Sequence, residues 1–322
     1  MASLLSVENL QVQFQTKKGI NTAVDGVSFS VEKGRILGIV GESGCGKSVT
    51  SMSILQLLGS NARISGGSIK LDGKELIGFP EKEMCRIRGN DIAMIFQDPM
   101  TALNPTLTIG TQLMEPIMLH QNCGKKEAWT RAVDVLKRVG IAAPEKRMKE
   151  YPHQLSGGMR QRVMIAMAVS CEPRLLIADE PTTALDVTIQ AQILELMCEL
   201  REKMGTAIML ITHDMGVVAE TADDVLVLYA GKAVEYGSIE DIFERPKHPY
   251  TQGLLNSIPR LDEDVELLNT IEGTVPAPDA MPAGCRFAPR CPYGKDRCMK
   301  EKPGVYHAGN SLVSCFRYEG EK

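Results

Sequence analysis

Apolar and polar positions near the start of the chain follow the pattern of β-strands. Residues 7–14 alternate between the two classes, and residues 27–31 alternate again after a polar turn. This period of two is typical of half-buried strands. A continuous apolar run at residues 35–40 fits a strand that is buried on both faces. The pattern therefore predicts two antiparallel strands and then a buried strand that ends just before residue 41.

The pattern changes to a mixture of strands and helices further along. Apolar strand-like runs occupy residues 92–96, 175–179 and 207–212, with hairpin patterns at residues 66–74 and 225–236. Helical segments are predicted at residues 48–55, 109–120, 125–139, 156–170 and 188–202. This order predicts an α/β fold with an antiparallel β subdomain and a helical insert over about residues 98–170. Prolines become frequent after Phe243, so we predict one domain over residues 1–245 and an irregular C-terminal domain over residues 246–322.

Composition narrows the class of protein. The 322 residues carry a net charge of −4, with 43% hydrophobic and 24% charged residues, which is ordinary for a globular protein. This balance gives no reason to expect nucleic-acid binding, which favours a basic surface. No apolar run approaches the roughly 18 residues of a membrane span, and the N-terminus lacks a signal-peptide pattern. We expect a cytosolic protein, or one held at a membrane only by its partners.

The stretch that follows the first buried strand reads G-x-x-x-x-G-K-S, the phosphate-binding P-loop. Its glycines let backbone N–H groups approach an anion, and the next helix adds positive potential at its N-terminus. We expect Lys47 to reach the β- and γ-phosphates and Ser48 to bind Mg²⁺. The predicted nucleotide-binding residues here are Gly41, Glu42, Ser43, Gly44, Cys45, Gly46, Lys47, Ser48 and Val49.

Acidic residues follow another buried strand, at a position where ligands bind in α/β sheets. Asp179 is interpreted as a Mg²⁺-side carboxylate and Glu180 as the base for an attacking water. A helix-capping acid beside a solvated glutamate is the alternative. His213 also follows a buried strand, where it could contact a phosphate, although a structural role is the alternative for an isolated histidine.

The order of these motifs resembles the nucleotide-binding subunits of ABC transporters. The matching residues are the P-loop, Gln97, Leu155-Ser156-Gly157-Gly158, Asp179-Glu180, Asp186 and His213. The resemblance implies a head-to-tail dimer in which the turn Ser156-Gly157-Gly158 completes the partner's ATP site, and it places Asp186 among the nucleotide-binding residues. It also implies that Gln97 touches Mg²⁺ and water, and that His213 contacts the γ-phosphate. Phe14 would stack on adenine, with a place in the core as its alternative.

Further segments resemble the dipeptide, oligopeptide and nickel branch of bacterial importers. They are residues 97–105, 178–186 and 248–255, with the later Cys-Pro-Tyr segment. The resemblance implies an ATP-hydrolysing motor on the cytoplasmic face of the inner membrane. Its partners would be two integral permease subunits and, indirectly, an extracytoplasmic solute-binding protein. A sister ATPase is favoured over an identical subunit as the dimer partner, and residues 98–150 would receive the permeases.

The motifs are compatible with other functions. A nickel or other small-solute importer would share these motifs, because the cargo is selected by the other subunits. A soluble ABC ATPase acting on ribosomes or DNA is a second class, but such proteins usually carry two cassettes or long coiled-coil inserts. A purely regulatory ATP-binding subunit is disfavoured because Glu180 and His213 are both present.

The nine cysteines are unevenly distributed. Four of them crowd the last 40 residues, at Cys285, Cys291, Cys298 and Cys315. In a reducing compartment such a group suggests a metal site rather than disulfides. The spacing lacks the close C-x-x-C pair typical of zinc, and the family resemblance implies a [4Fe–4S] cluster. Zinc and four unrelated free thiols are the alternatives.

Overall fold

A computed structural model describes residues 3–17, 19–98, 102–182, 186–258 and 270–320. Two motif stretches of the sequence continue outside the described residues, at positions 99–101 and 183–185. The chain divides into two compact units. The first comprises residues 1–31, 36–77 and 212–322, and the second comprises residues 32–35 and 78–211.

The described strands are β1 Ser3–Thr16, β2 Gly19–Glu32, β3 Ile36–Val40, β4 Ala62–Leu71, β5 Lys74–Glu75, β6 Ile92–Ile95, β7 Leu175–Asp179, β8 Ala207–Thr212, β9 Asp224–Tyr229, β10 Lys232–Ser238, β11 Tyr306–Ala308 and β12 Ser311–Val313. The described α-helices are α1 Lys47–Ile54, α2 Glu81–Ile87, α3 Ile109–Gln121, α4 Lys125–Arg138, α5 Pro144–Arg147, α6 Gly157–Val169, α7 Val187–Met204, α8 Met215–Thr221, α9 Ile239–Glu244, α10 Pro249–Asn256 and α11 Asp296–Lys300.

An antiparallel sheet in the first unit runs in the order β2-β1-β4-β5. Val7 pairs with Ile69 across β1 and β4, and both side chains are buried. The turn between β4 and β5 has φ of 50° at Asp72 and 79° at Gly73, as tight hairpin turns require. The predicted antiparallel part is therefore confirmed.

A second sheet of the first unit carries the P-loop strand. The order of its strands within this unit is β11-β12-β10-β9-β3. β3 is buried along its whole length and pairs in parallel with β9, Ile39 opposite Leu226. β9 and β10 form the predicted hairpin. This arrangement leaves the C-terminal end of β3 to open directly into the P-loop.

The second unit combines parallel strands with the predicted helices. β7 lies between β6 and β8, and both pairings are parallel. Helices α3, α4 and α6 pack against one another through apolar residues such as Leu113, Leu136 and Val163. The predicted helical part is confirmed. Among the described residues, none of the helices has both the length and the apolar character that crossing a bilayer requires.

The C-terminal segment belongs to the same compact unit as the P-loop strand, although its proline content predicts a domain boundary near residue 245. β12 pairs with β10, with Val313 opposite Glu235, so the C-terminal hairpin extends the sheet edge. Short 3₁₀ turns at Pro278–Ala280, Ala288–Arg290 and Phe316–Tyr318 account for its irregular sequence pattern. The domain boundary near residue 245 and a separate cysteine-rich domain stay predictions, because two domains can also pack as one compact unit.

Candidate active site

The P-loop is shaped by a backbone that only glycine can follow at its first position. Gly41 has φ of 153°, and a Cβ built there would lie 2.1 Å from the carbonyl oxygen of Leu228. No side chain could occupy that space, so the turn out of β3 depends on glycine. Cys45 is 1% exposed, and burial raises the pKa of its thiol. The Cys45 side chain therefore acts as buried filler beneath the loop.

Lys47 is folded over the loop that precedes it. Its Nζ donates to the carbonyl oxygens of Gly41 at 2.6 Å and Glu42 at 3.3 Å, and the residue is 5% exposed. Helix α1 begins after Gly46 without a side-chain cap. Its first N–H groups and the ammonium group therefore favour an anion at this place. Ser43, Gly44 and Ser48 are exposed beside it, and Val49 is half-buried.

Two predicted catalytic residues meet in the second unit. Gln97 follows β6, Glu180 follows β7, and the side-chain amide of Gln97 donates to Glu180 Oε2 at 2.9 Å. The N–H of Glu180 donates to Ile211 O at 2.9 Å, and its φ is 47°. That left-handed conformation costs a non-glycine residue about 1–2 kcal/mol. Asp179, the last residue of β7, is 5% exposed, so the strand delivers one buried and one half-buried carboxylate in succession.

The motif Leu155-Ser156-Gly157-Gly158 leads into the start of α6. The Ser156 hydroxyl accepts from Met159 N at 3.4 Å and so caps the start of this helix. Ser156 and Gly157 are exposed, whereas Gly158 lies against Ile189, which a Cβ would approach at 3.3 Å. Asp186 caps the neighbouring helix α7 by accepting from Ile189 N at 2.9 Å. The serine, the exposed glycine and the aspartate are thus held at two adjoining helix starts.

The remaining predicted site residues belong to the first unit. His213 follows β8 and is exposed, and the next residue, Asp214, caps α8 by accepting from Gly216 N at 2.8 Å. Phe14 lies near the end of β1 opposite Ala62 and is half-buried. The structure brings Gln97 to Glu180 and gathers the loop around Lys47. The ligand roles of Phe14 and His213 stay predictions.

The comparisons with known proteins agree with this set of motifs. Residues 24–183 match the family described as ABC transporter, and residues 234–298 match the oligopeptide/dipeptide transporter C-terminal region. The oligopeptide transport ATP-binding protein AppD of Bacillus subtilis (strain 168) is 56% identical over 323 residues, covering 100% of this chain and 98% of that protein. OppD of Escherichia coli (strain K12), of the same description, is 51% identical and covers 98% and 93% respectively.

The chain belongs to the ABC transporter ATP-binding proteins. A solved dimeric ATP-binding cassette in a post-hydrolysis state with ADP and Pi is also similar, with a TM-score of 0.66 and 27% identity. That likeness covers 73% of this chain and 98% of the cassette. This protein is therefore an ABC-type ATPase, as the motifs predicted.

The four C-terminal cysteines of this ABC-type ATPase surround one place in the first unit. Cys285, Cys291, Cys298 and Cys315 all line a cavity of about 80 Å³. Burial raises the pKa of Cys285 to about 11 and also raises the pKa values of Cys291 and Cys315. Within the described ranges, no group of three or more histidine, cysteine or acidic side chains is placed to hold a single metal ion. The thiols share a cavity without converging on one point.

Proposed function

We propose that this ABC-type ATPase drives the import of di- or oligopeptides through a membrane transporter. The observation that carries the proposal is the second family match, over residues 234–298, to the oligopeptide/dipeptide transporter C-terminal region. The full-length similarity to oligopeptide transport ATP-binding proteins supports it. Peptide is favoured over nickel for this reason, and action on ribosomes or DNA has no comparable support.

The chemistry assigned to the site is hydrolysis of ATP. Lys47 and the first N–H groups of α1 would bind the β- and γ-phosphates, with His213 contacting the γ-phosphate. Glu180 would accept a proton from water as the water oxygen bonds to the γ-phosphorus and the bond to ADP breaks. The contact from Gln97 at 2.9 Å supports this role, because it fixes the orientation of the carboxylate.

Mg²⁺ suits the oxygen ligands that the motifs supply. Ser48, Asp179 and Gln97 offer a hydroxyl, a carboxylate and an amide oxygen, and Mg²⁺ prefers oxygen ligands. When bound, the ion would neutralise charge that develops on the phosphates. The exposed Ser48 and the carboxylate at the end of β7 are the observations that support this assignment.

The assembly proposed for this ATPase is a head-to-tail dimer on the cytoplasmic side of the inner membrane. The turn Ser156-Gly157-Gly158 would complete the partner's ATP site, and Asp186 is proposed as a further nucleotide-binding residue. Ser156, Gly157 and Asp186 are exposed, which supports this role. The similar cassette of known structure is dimeric, which supports the arrangement. We propose a sister ATPase as the partner, two permease subunits that hold the pair at the membrane, and a solute-binding protein outside.

Peptide should control ATP turnover in the assembled transporter. The chain is co-expressed with its membrane subunits, reconstituted in lipid and assayed for phosphate release with the solute-binding protein present. We expect peptide-loaded binding protein to raise turnover several-fold, with no response when Lys47→Ala replaces the wild-type chain. Stimulation by nickel but not by peptide would transfer the assignment to a nickel importer. Stable co-sedimentation with ribosomes and no membrane partners would contradict a transport function.

We also propose that the four C-terminal cysteines hold a [4Fe–4S] cluster. Four thiols around one cavity supply the ligand set of such a cluster. A single zinc ion, with sulfurs about 2.3 Å away, would require them to converge more closely. The cluster would add folding energy to a segment dominated by short turns, which supports a structural role over redox sensing.

Iron should accompany the purified chain under anaerobic conditions. We expect broad visible absorption and about four iron atoms with acid-labile sulfide per chain, as a [4Fe–4S] cluster requires. Cys298→Ser should lose most of the iron, whereas Cys198→Ser, on helix α7, should keep it. A colourless wild-type protein with stoichiometric zinc would show that the cluster assignment is wrong.

A further inference from the structure

Glu42 places an acidic side chain inside the phosphate-binding loop. Its carboxylate is half-buried and lies between Gly41 and Ser43, at the place where N–H groups are expected to face a triphosphate. An unscreened negative charge there would repel the ligand, and partial burial strengthens such repulsion. The loop therefore needs a cation that neutralises Glu42 and keeps its side chain turned away.

Arg290 supplies that cation from a position 248 residues further along the chain. Its Nη1 donates to both carboxylate oxygens of Glu42, at 2.9 and 3.1 Å, and its side chain is only 6% exposed. Its Nε donates to Glu272 O at 2.9 Å and its Nη2 to Ile271 O at 3.2 Å. These two hydrogen bonds within the C-terminal segment thus hold the guanidinium in the orientation that contacts Glu42.

The backbone of Glu42 is held by the same region. Its N–H donates to the hydroxyl oxygen of Tyr250 at 3.0 Å. Tyr250 is fully buried, and its ring lies 4.7 Å from that of Tyr229 and 5.4 Å from that of Phe287. Both the main chain and the side chain of this P-loop residue are therefore anchored to the segment after residue 245.

We propose that Arg290 is a positioning residue for nucleotide binding, which holds and neutralises Glu42 so that the P-loop accepts the triphosphate. The inference rests on the proposed role of the P-loop as the ATP site. Arg290 ends the turn Ala288–Arg290 and precedes Cys291, which lines the four-cysteine cavity. The C-terminal segment thereby sets the affinity of the loop for ATP, and a disturbance of residues 285–291 weakens nucleotide binding.

The test is a double-mutant cycle on the full-length chain, with Mg·ATP binding measured by titration calorimetry. We expect Arg290→Gln to raise the dissociation constant for ATP about tenfold, equivalent to about 1.4 kcal/mol. In the assembled transporter KM should rise similarly while kcat changes little. Glu42→Gln removes the charge that needs neutralising, so adding Arg290→Gln to it should change the affinity by less than about twofold.

Arg297→Gln is the matched control, because Arg297 is 47% exposed and pairs with Glu301 and Glu319 in the same segment. It should bind ATP like the wild type. If Arg290→Gln does not fold, as judged by circular dichroism, Arg290→Met, which also lacks the positive charge, takes its place in both arms of the cycle. Equal losses with and without Glu42→Gln, or no loss in either case, would overturn the inference. A wild-type chain that binds no ATP would instead contradict the proposed nucleotide site.

Discussion

Replacing Glu180 with glutamine is expected to lower kcat for ATP hydrolysis by about 100- to 10,000-fold, the range that loss of a general base produces. Glutamine keeps the size of the side chain but cannot take the proton from water. ATP should still bind, because the substitution leaves Lys47 and the N-terminus of α1 unchanged. Single-turnover phosphate release by the assembled transporter, together with ATP titration, separates the two effects.

The matched control for this substitution is Glu202→Gln on helix α7. Glu202 is 70% exposed and pairs with Arg201 at 3.5 Å on the surface, so its replacement should leave turnover unchanged. Hydrolysis by Glu180→Gln at more than about a tenth of the wild-type rate would assign the base to another residue, since general-base catalysis contributes at least about 100-fold. Loss of ATP binding in the same variant would mean that Glu180 acts mainly in nucleotide binding.

Local sequence predicts the parts of the site that are built from contiguous residues. The P-loop spans eight consecutive positions, and its fold depends on glycines such as Gly41 that stand in the motif itself. Ser156 and Asp186 are likewise recognisable, because an N-cap needs only one side chain and the N–H groups that follow it. The meeting of Gln97 with Glu180 follows from neighbouring parallel strands, whose C-terminal ends lie at one edge.

Pairings between distant segments leave no comparable signal in the sequence. The pattern predicts a strand at residues 27–31, whereas β2 spans Gly19–Glu32, since backbone pairing continues where side chains stop alternating. The sequence does not predict Arg290 and Tyr250 as partners of the P-loop, because their spacing from Glu42 follows no period. The sequence does contain one chemical indication of this contact: an acidic residue within an anion-binding loop implies a cation nearby. The pairing of β12 with β10 has no such signal, because three-residue strands are too short to show alternation.

Replacing Phe287 with alanine is expected to destabilise the first unit by about 3–5 kcal/mol, the usual cost of truncating a buried phenylalanine. Phe287 is 2% exposed, and its ring centroid lies 5.1 Å from Tyr229, 5.4 Å from Tyr250 and 5.8 Å from His248. It also lines the four-cysteine cavity. The truncation would therefore remove packing shared by the tyrosine that anchors Glu42 and by the cysteine segment.

Urea unfolding of the full-length chain, followed by two probes, measures this loss. The single tryptophan, Trp129, lies in α4 within the second unit, so its fluorescence reports that unit, whereas circular dichroism reports the whole chain. We expect Phe287→Ala to lower the urea midpoint measured by circular dichroism more than the midpoint measured by Trp129 fluorescence. The two probes then no longer give one coincident transition, because the first unit unfolds at a lower urea concentration than the second. Phe316→Ala is the control, since Phe316 is half-buried and lies under the Arg297 guanidinium at 4.1 Å. An equal loss from both substitutions would contradict the central place given to Phe287.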